Sequence, residues 1–163
     1  MGLNDEQIAA IRATWPPVFA SRDLAAGLFY GRLFQISPGS RALFTGDPTG
    51  QGRKLTETLA HVIDHLERIE DVRGPVVELA RRHVDYGVRP EDYAAVGQAL
   101  IWMLERLLGE GLSHQAREAW AAAYEALARI MIAGAYPGVD AAGLREASDL
   151  GLPAVSRASD TES

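Results

Sequence analysis

Apolar residues along the chain recur at steps of three and four, and no useful length alternates apolar with polar, so the pattern predicts helices and no sheet. The first predicted helix opens at Asn4, an N-cap with Gln7 placed as its capping-box partner. Ile8, Ile11, Trp15 and Val18 form its buried stripe, and Pro16-Pro17 is expected to kink or end it. A second helix covers about 21–35, with Leu24, Leu28, Leu33 and Phe34 apolar and Tyr30 on the same broad face. Ser37-Pro38 predicts a short helical turn through Ala42, Leu43 and Phe44. The stretch TGDPTGQG, residues 45–52, is turn-forming throughout and is expected to be a loop. A long helix follows over about 53–70, burying Leu55, Leu59, Val62, Leu66 and Ile69. Gly74-Pro75 restarts the chain into a helix that Gly87 ends. The next begins at Pro90 and buries Val96, Leu100, Met103, Leu104 and Leu107. Gly109 and Gly111 break it, and Ser113 caps a last helix through Trp120, Tyr124, Leu127 and Met131. The fold class is all-α, with seven or so helices. Residues 1–137 form the expected domain. From Gly138 the composition turns to Ala, Gly, Ser, Asp and Glu, so 138–163 is expected to be a mostly mobile tail with at most a short helix near 141–147.

At 163 residues the chain is long enough for one domain with a sizeable core. Its net charge of −6 argues against general affinity for nucleic acid or an anionic membrane. No apolar run approaches the ~20 residues that span a bilayer. The polar, acidic start MGLNDEQ does not resemble a secretory signal, so the expected compartment is the cytoplasm. There is no cysteine, which excludes disulfides, thiolate metal sites, iron–sulfur clusters, cysteine nucleophiles and thioether attachment of haem. A metal or cofactor must therefore be held by a carboxylate or by His61, His65, His83 or His114.

One histidine stands out. In ELARRHVDYGVRPEDYAAVG, residues 78–97, His83 shares a helix side with Val76, Leu79 and Ala80, while Arg81 and Arg82 point away. An imidazole there is either a core histidine donating to a carbonyl or a ligand. Pro38 and Phe44, a polar turn, a helix opening with Lys54, His83 and then Tyr93 follow in order. Together with LFYGRLFQISPGSRALF and EAWAAAYEALA, these features resemble the globin family over about residues 3–136, most closely bacterial flavohaemoglobin globin domains and single-domain bacterial haemoglobins.

The resemblance implies a globin fold around non-covalent haem b, with His83 as the proximal iron ligand. It implies that Phe44 stacks on the haem and that Tyr30 is a distal hydrogen-bond donor. Tyr86, Val88 and Tyr93 join the pocket, Tyr93 matching a tyrosine that shares a hydrogen-bonded group with the proximal histidine and a glutamate. No glutamate stands at the matching place here, where Tyr136 and Pro137 lie, which puts that electron-donating group in doubt. Counted back from His83 without gaps, the family's distal histidine or glutamine falls on Lys54, and Thr58 takes a usually aliphatic position. Lys54 could reach a haem propionate or, less favourably, shed its proton and bind iron. Gln51 is a rival distal donor, and the Thr58 hydroxyl could meet ligand, water or its own helix. His61 and His65, four apart, could be a metal pair in isolation, but the Val62–Leu66 stripe favours a solvated or haem-edge placement. His114 reads as surface.

The implied function is reversible binding of oxygen, with nitric oxide and carbon monoxide as further ligands, as monomer or homodimer. Nitric oxide dioxygenation would require an external reductase, since the sequence carries no Gly-rich dinucleotide motif. The alternative is a globin-fold gas or redox sensor acting through a partner protein, and a weaker one is a histidine-held non-haem metal site.

Overall fold

The structure, a computed structural model, describes residues 3–43, 48–85 and 87–136. These form six α-helices: α1 (Asp5–Ala20), α2 (Arg22–Ile36), α3 (Pro48–Asp64), α4 (Arg73–Asp85), α5 (Asp92–Leu108) and α6 (His114–Ala135). Three 3-10 segments, Pro38–Leu43, Leu66–Val72 and Gly109–Gly111, join them. No strand occurs among the described residues. None of the described helices is long and apolar enough to cross a membrane.

α1 starts as its sequence dictates: Asn4 Oδ1 accepts from the Gln7 N–H at 2.8 Å, and Gln7 Oε1 accepts from the Asn4 N–H at 2.9 Å. Pro16 and Pro17 do not end it; the helix continues to Ala20. Both rings are exposed, so the carbonyls they leave without partners are at the surface, where water can serve them. Below them Val18 is fully buried, and the ring of Trp15 lies 6.1 Å from that of Trp120 on α6. The indole N–H of Trp120 donates to Thr14 Oγ1 at 2.8 Å, and that hydroxyl donates in turn to the α1 backbone. Packing across α6 thus outweighs the missing backbone bonds.

The stretch expected as a loop is helical from Pro48 on; residues 45–47 lie outside the described residues. Proline suits a first helical turn, whose N–H groups have no helical partner anyway. Gly52 is buried against α2: a Cβ there would lie 2.8 Å from the Ala26 Cβ. That glycine permits two helices to touch, and turn propensity loses to packing. The helix expected over 53–70 instead stops at Asp64 and resumes as the 3-10 segment Leu66–Val72, with Arg68 at φ −139° and ψ 62°. Arg12 of α1 accounts for the break. Its guanidinium donates to the Ile63 carbonyl at 2.9 Å and to the Glu67 carboxylate, capping α3 from outside. This pairing holds the Glu67 carboxyl down at about 2 and raises the Arg12 pKa.

Leu24, assigned by spacing to the buried face of α2, is 58% exposed. The core side is instead Ala25, Ala26, Phe29 and Leu33. α5 begins at Asp92 rather than Pro90, which sits in the preceding turn. Ser113 caps α6 by accepting from the Ala116 N–H at 3.0 Å.

The buried apolar residues fall into two clusters. The larger joins α1, α2, α3, most of α5 and the first half of α6. The smaller gathers Val72, Val76 and Ala80 around Tyr93 and the end of α6, at Ala128, Ile130, Met131 and Ile132. Ile69, Tyr124 and Leu127 touch both. α3 packs on α2, and α4 packs on α6, but α3 and α4 share no packed interface.

Candidate functional site

The residues of interest lie on α2, α3, α4 and the start of α5. His83 sits in the last turn of α4, half-buried. Its Nδ1–H donates to the Leu79 carbonyl at 2.9 Å, leaving Nε2 with the lone pair. Burial pushes the imidazole pKa below its ordinary value, the Leu79 bond opposes that shift and Arg82 adds to it. The ring is therefore neutral at pH 7 and is a competent metal ligand.

The chain after His83 turns away by a paired cap. The Val88 N–H donates to the His83 carbonyl at 2.9 Å, and the Gly87 N–H donates to the Val84 carbonyl at 3.0 Å. Gly87 adopts φ 95°, which only glycine holds without strain, so this turn requires it. Tyr86 lies outside the described residues, as does Phe44.

Tyr93, in the first turn of α5, is buried, and its hydroxyl has no hydrogen-bond partner among the described residues. Burial raises its pKa, so the phenol stays protonated. Its backbone is fixed by Tyr124, whose hydroxyl donates to the Tyr93 carbonyl at 2.6 Å. The Tyr136 ring stands edge-on to Tyr93 at 6.5 Å and its hydroxyl donates to the carbonyl of half-buried Val88. α6 ends Ala133-Gly134-Ala135 before Tyr136 and offers no carboxylate there.

Tyr30 of α2 stands edge-on to Phe29 and stacks on Phe34, with centroids 5.0 and 6.2 Å away. Its hydroxyl donates to the Gln51 carbonyl at 3.4 Å, and burial pushes its pKa up to about 12. Gln51, Leu55 and Thr58 are half-buried and fall within one stripe of α3, since positions four and seven apart overlie one another. Lys54, three residues from Gln51 and four from Thr58, borders that stripe but is exposed. Thr56 is the buried threonine that sequence reading passed over. Its hydroxyl donates to the Gly52 and Arg53 carbonyls at 3.2 and 3.1 Å, a commitment to its own helix that periodicity alone could have placed on the α2 side. His61 and His114 are exposed, and His65 is half-buried.

A globin family model matches residues 27–131. The chain belongs to the globin family. It is 36% identical over 133 residues to a flavohemoprotein of Bordetella parapertussis, an alignment covering 80% of this chain and 33% of that protein. The chain thus spans about a third of the length of the flavohemoproteins it matches. A globin-like protein of Aquifex aeolicus is 29% identical over 130 residues, covering 80% of this chain and 92% of its own. A bacterial globin from Campylobacter jejuni superposes with a TM-score of 0.71 at 27% identity, over 80% of this chain and 95% of that one.

Membership of the globin family implies haem binding, and this globin's residues fit the group. A neutral imidazole with one nitrogen already committed to a backbone carbonyl is the donor that haem iron requires. Leu55 and Leu59 are half-buried against the larger cluster, and Leu79 and Val88 are half-buried against the smaller one, so apolar surface for a haem is available on both. No group of three or more metal-ligating side chains occurs among the described residues.

Proposed function

We propose that this globin holds haem b without a covalent link, with His83 Nε2 as its iron ligand, and binds oxygen reversibly, with nitric oxide and carbon monoxide as further ligands. The observation that carries the proposal is the His83 imidazole: neutral, half-buried, and turned by its Leu79 bond so that Nε2 alone is available. When bound, haem supplies the iron at which a diatomic gas is held and, given electrons from outside, the redox chemistry of nitric oxide dioxygenation. Everything else is done by side chains. The Leu79 carbonyl orients the imidazole and increases its donor strength. Tyr30, protonated at pH 7, offers an O–H to a polar ligand from the other side. Leu55 and Leu59 exclude water from the same space. Gln51 is the better second donor than Lys54, because its place on the half-buried stripe of α3 favours it and the exposure of Lys54 does not. The flavohemoprotein relatives support a reductase as partner, supplied by another protein or by another segment.

The end of α6 brings no carboxylate to Tyr93, which favours a gas-binding role over peroxidase-like chemistry. Absorption spectra of the ferric, ferrous and carbon monoxide forms test the proposal together with His83→Ala. The expected result is a Soret band in the parent protein and loss of haem from a variant that keeps its helical circular dichroism. A variant that retains full haem with unchanged spectra would refute the ligand assignment.

A further inference from the structure

We propose that His61 and His65 form a second metal site, on the outer side of α3 at its C-terminal end, that takes a divalent transition ion such as Zn2+ or Cu2+. The two positions are four apart, His61 in the last turn of α3 and His65 just beyond its end. Their ring centroids are 4.7 Å apart, tilted by 49°. Imidazoles bound to one ion through metal–nitrogen bonds of about 2.0–2.1 Å would have centroids roughly 5 Å apart, so the rings already stand at bridging distance.

The second observation is the state of His65. Its Nδ1–H donates to the His61 carbonyl at 2.9 Å, which leaves Nε2 carrying the lone pair. Ligating histidines characteristically give their other N–H to a carbonyl or carboxylate, which fixes tautomer and ring orientation. His61 is exposed, so water can complete the coordination sphere. The surroundings favour a cation. Asp64 and Glu57 are exposed neighbours on α3, and the guanidiniums of Arg12 and Arg68 are paired with Glu67 and Asp71. The last turn of a helix also carries partial negative charge.

This site lies at the surface: His61 is exposed, three residues beyond the half-buried Thr58 and ten beyond Gln51 on α3. With two protein ligands and no third metal-binding side chain grouped with them among the described residues, it should prefer the ions that bind imidazole most strongly, Cu2+ above Zn2+. A bound ion would fasten the last turn of α3 to the residue just beyond it, reinforcing the cap that Arg12 supplies.

Untagged, haem-loaded protein titrated with Zn2+ against a chromogenic chelator tests the site. The expected result is one ion per chain with the Soret band unmoved. Affinity should fall about tenfold or more in His61→Ala and in His65→Ala, as the loss of even an outer-shell partner would lower it. His114→Ala, which removes an exposed imidazole elsewhere, should bind as the parent does. No Zn2+ binding by the parent, undiminished binding by the double variant, or a Soret shift that tracks Zn2+ would each overturn the proposal.

Discussion

The hydroxyl of Tyr30 rests 3.4 Å from the Gln51 carbonyl, a long hydrogen bond that an incoming ligand can outbid. A donor bond to a charged acceptor is worth about 1.5–3 kcal/mol, which corresponds to roughly tenfold or more in a rate of escape. Tyr30→Phe should therefore speed oxygen release from the ferrous protein by that factor, as read by stopped-flow displacement with carbon monoxide. Gln51→Leu should speed it further, whereas Lys54→Ala should leave both the release rate and the ferric spectrum as they are. If Lys54→Ala converts a low-spin ferric spectrum to a high-spin one, the lysine is an iron ligand and the stripe assignment fails. At this scale the sequence was legible where a residue's type constrains its use. His83 announced itself because an imidazole in an aliphatic row needs a reason, and Gly87 because its turn needs a positive φ. The choice between Gln51 and Lys54 was not legible. It depends on where α3 begins, and a stretch of Gly, Pro and Thr gives no periodic signal for that.

Between elements, glycine proves to be a packing residue more than a breaker. Gly134 near the end of α6 lies so close to α4 that a Cβ would stand 2.6 and 2.9 Å from the two Val77 methyls. Valine is stiff at χ1 and cannot swing clear, so Gly134→Ala should cost about 1–3 kcal/mol by forcing the helices apart. Urea unfolding should register that loss and haem affinity should fall with it, because α4 carries His83. Val77→Ala in the same chain should restore much of both; a neutral Gly134→Ala would mean the helices have slack. The spacing rules found six α-helices nearly in place, including the Ser113 cap of α6 and the capping box of α1. They failed where a distant side chain decided the matter. Trp120 and Val18 hold α1 past its prolines, Arg12 stops α3 early, and Gly52 keeps its segment helical against Ala26. None of these contacts leaves a trace in local periodicity.

Across the whole molecule, the pKa of His83 ties stability to acidity. Burial depresses it in the folded chain, while the unfolded chain takes up a proton near the ordinary ~6.5. Above that value both states are neutral and the group contributes no pH dependence. As pH falls below it the unfolded state binds the extra proton, so folding weakens until the depressed native pKa is reached. Proton binding also competes for the nitrogen that would hold iron. Acid titration followed by circular dichroism and the Soret band should show haem retention falling below about pH 6.5. His83→Phe should flatten the apoprotein's stability profile across the same window, and an unchanged slope would show that the folded imidazole titrates normally. The smaller hydrophobic cluster also shapes the life of a newly made copy. Once the chain leaves the ribosome, α1, α2, α5 and the first half of α6 can close on one another, while α4 leans chiefly on the end of α6 through the smaller cluster. The segment with the fewest apolar neighbours opens most often, and cellular proteases harvest what opens. A cell short of haem would therefore clear this globin soon after translation, and a cell well supplied would accumulate it from the same message.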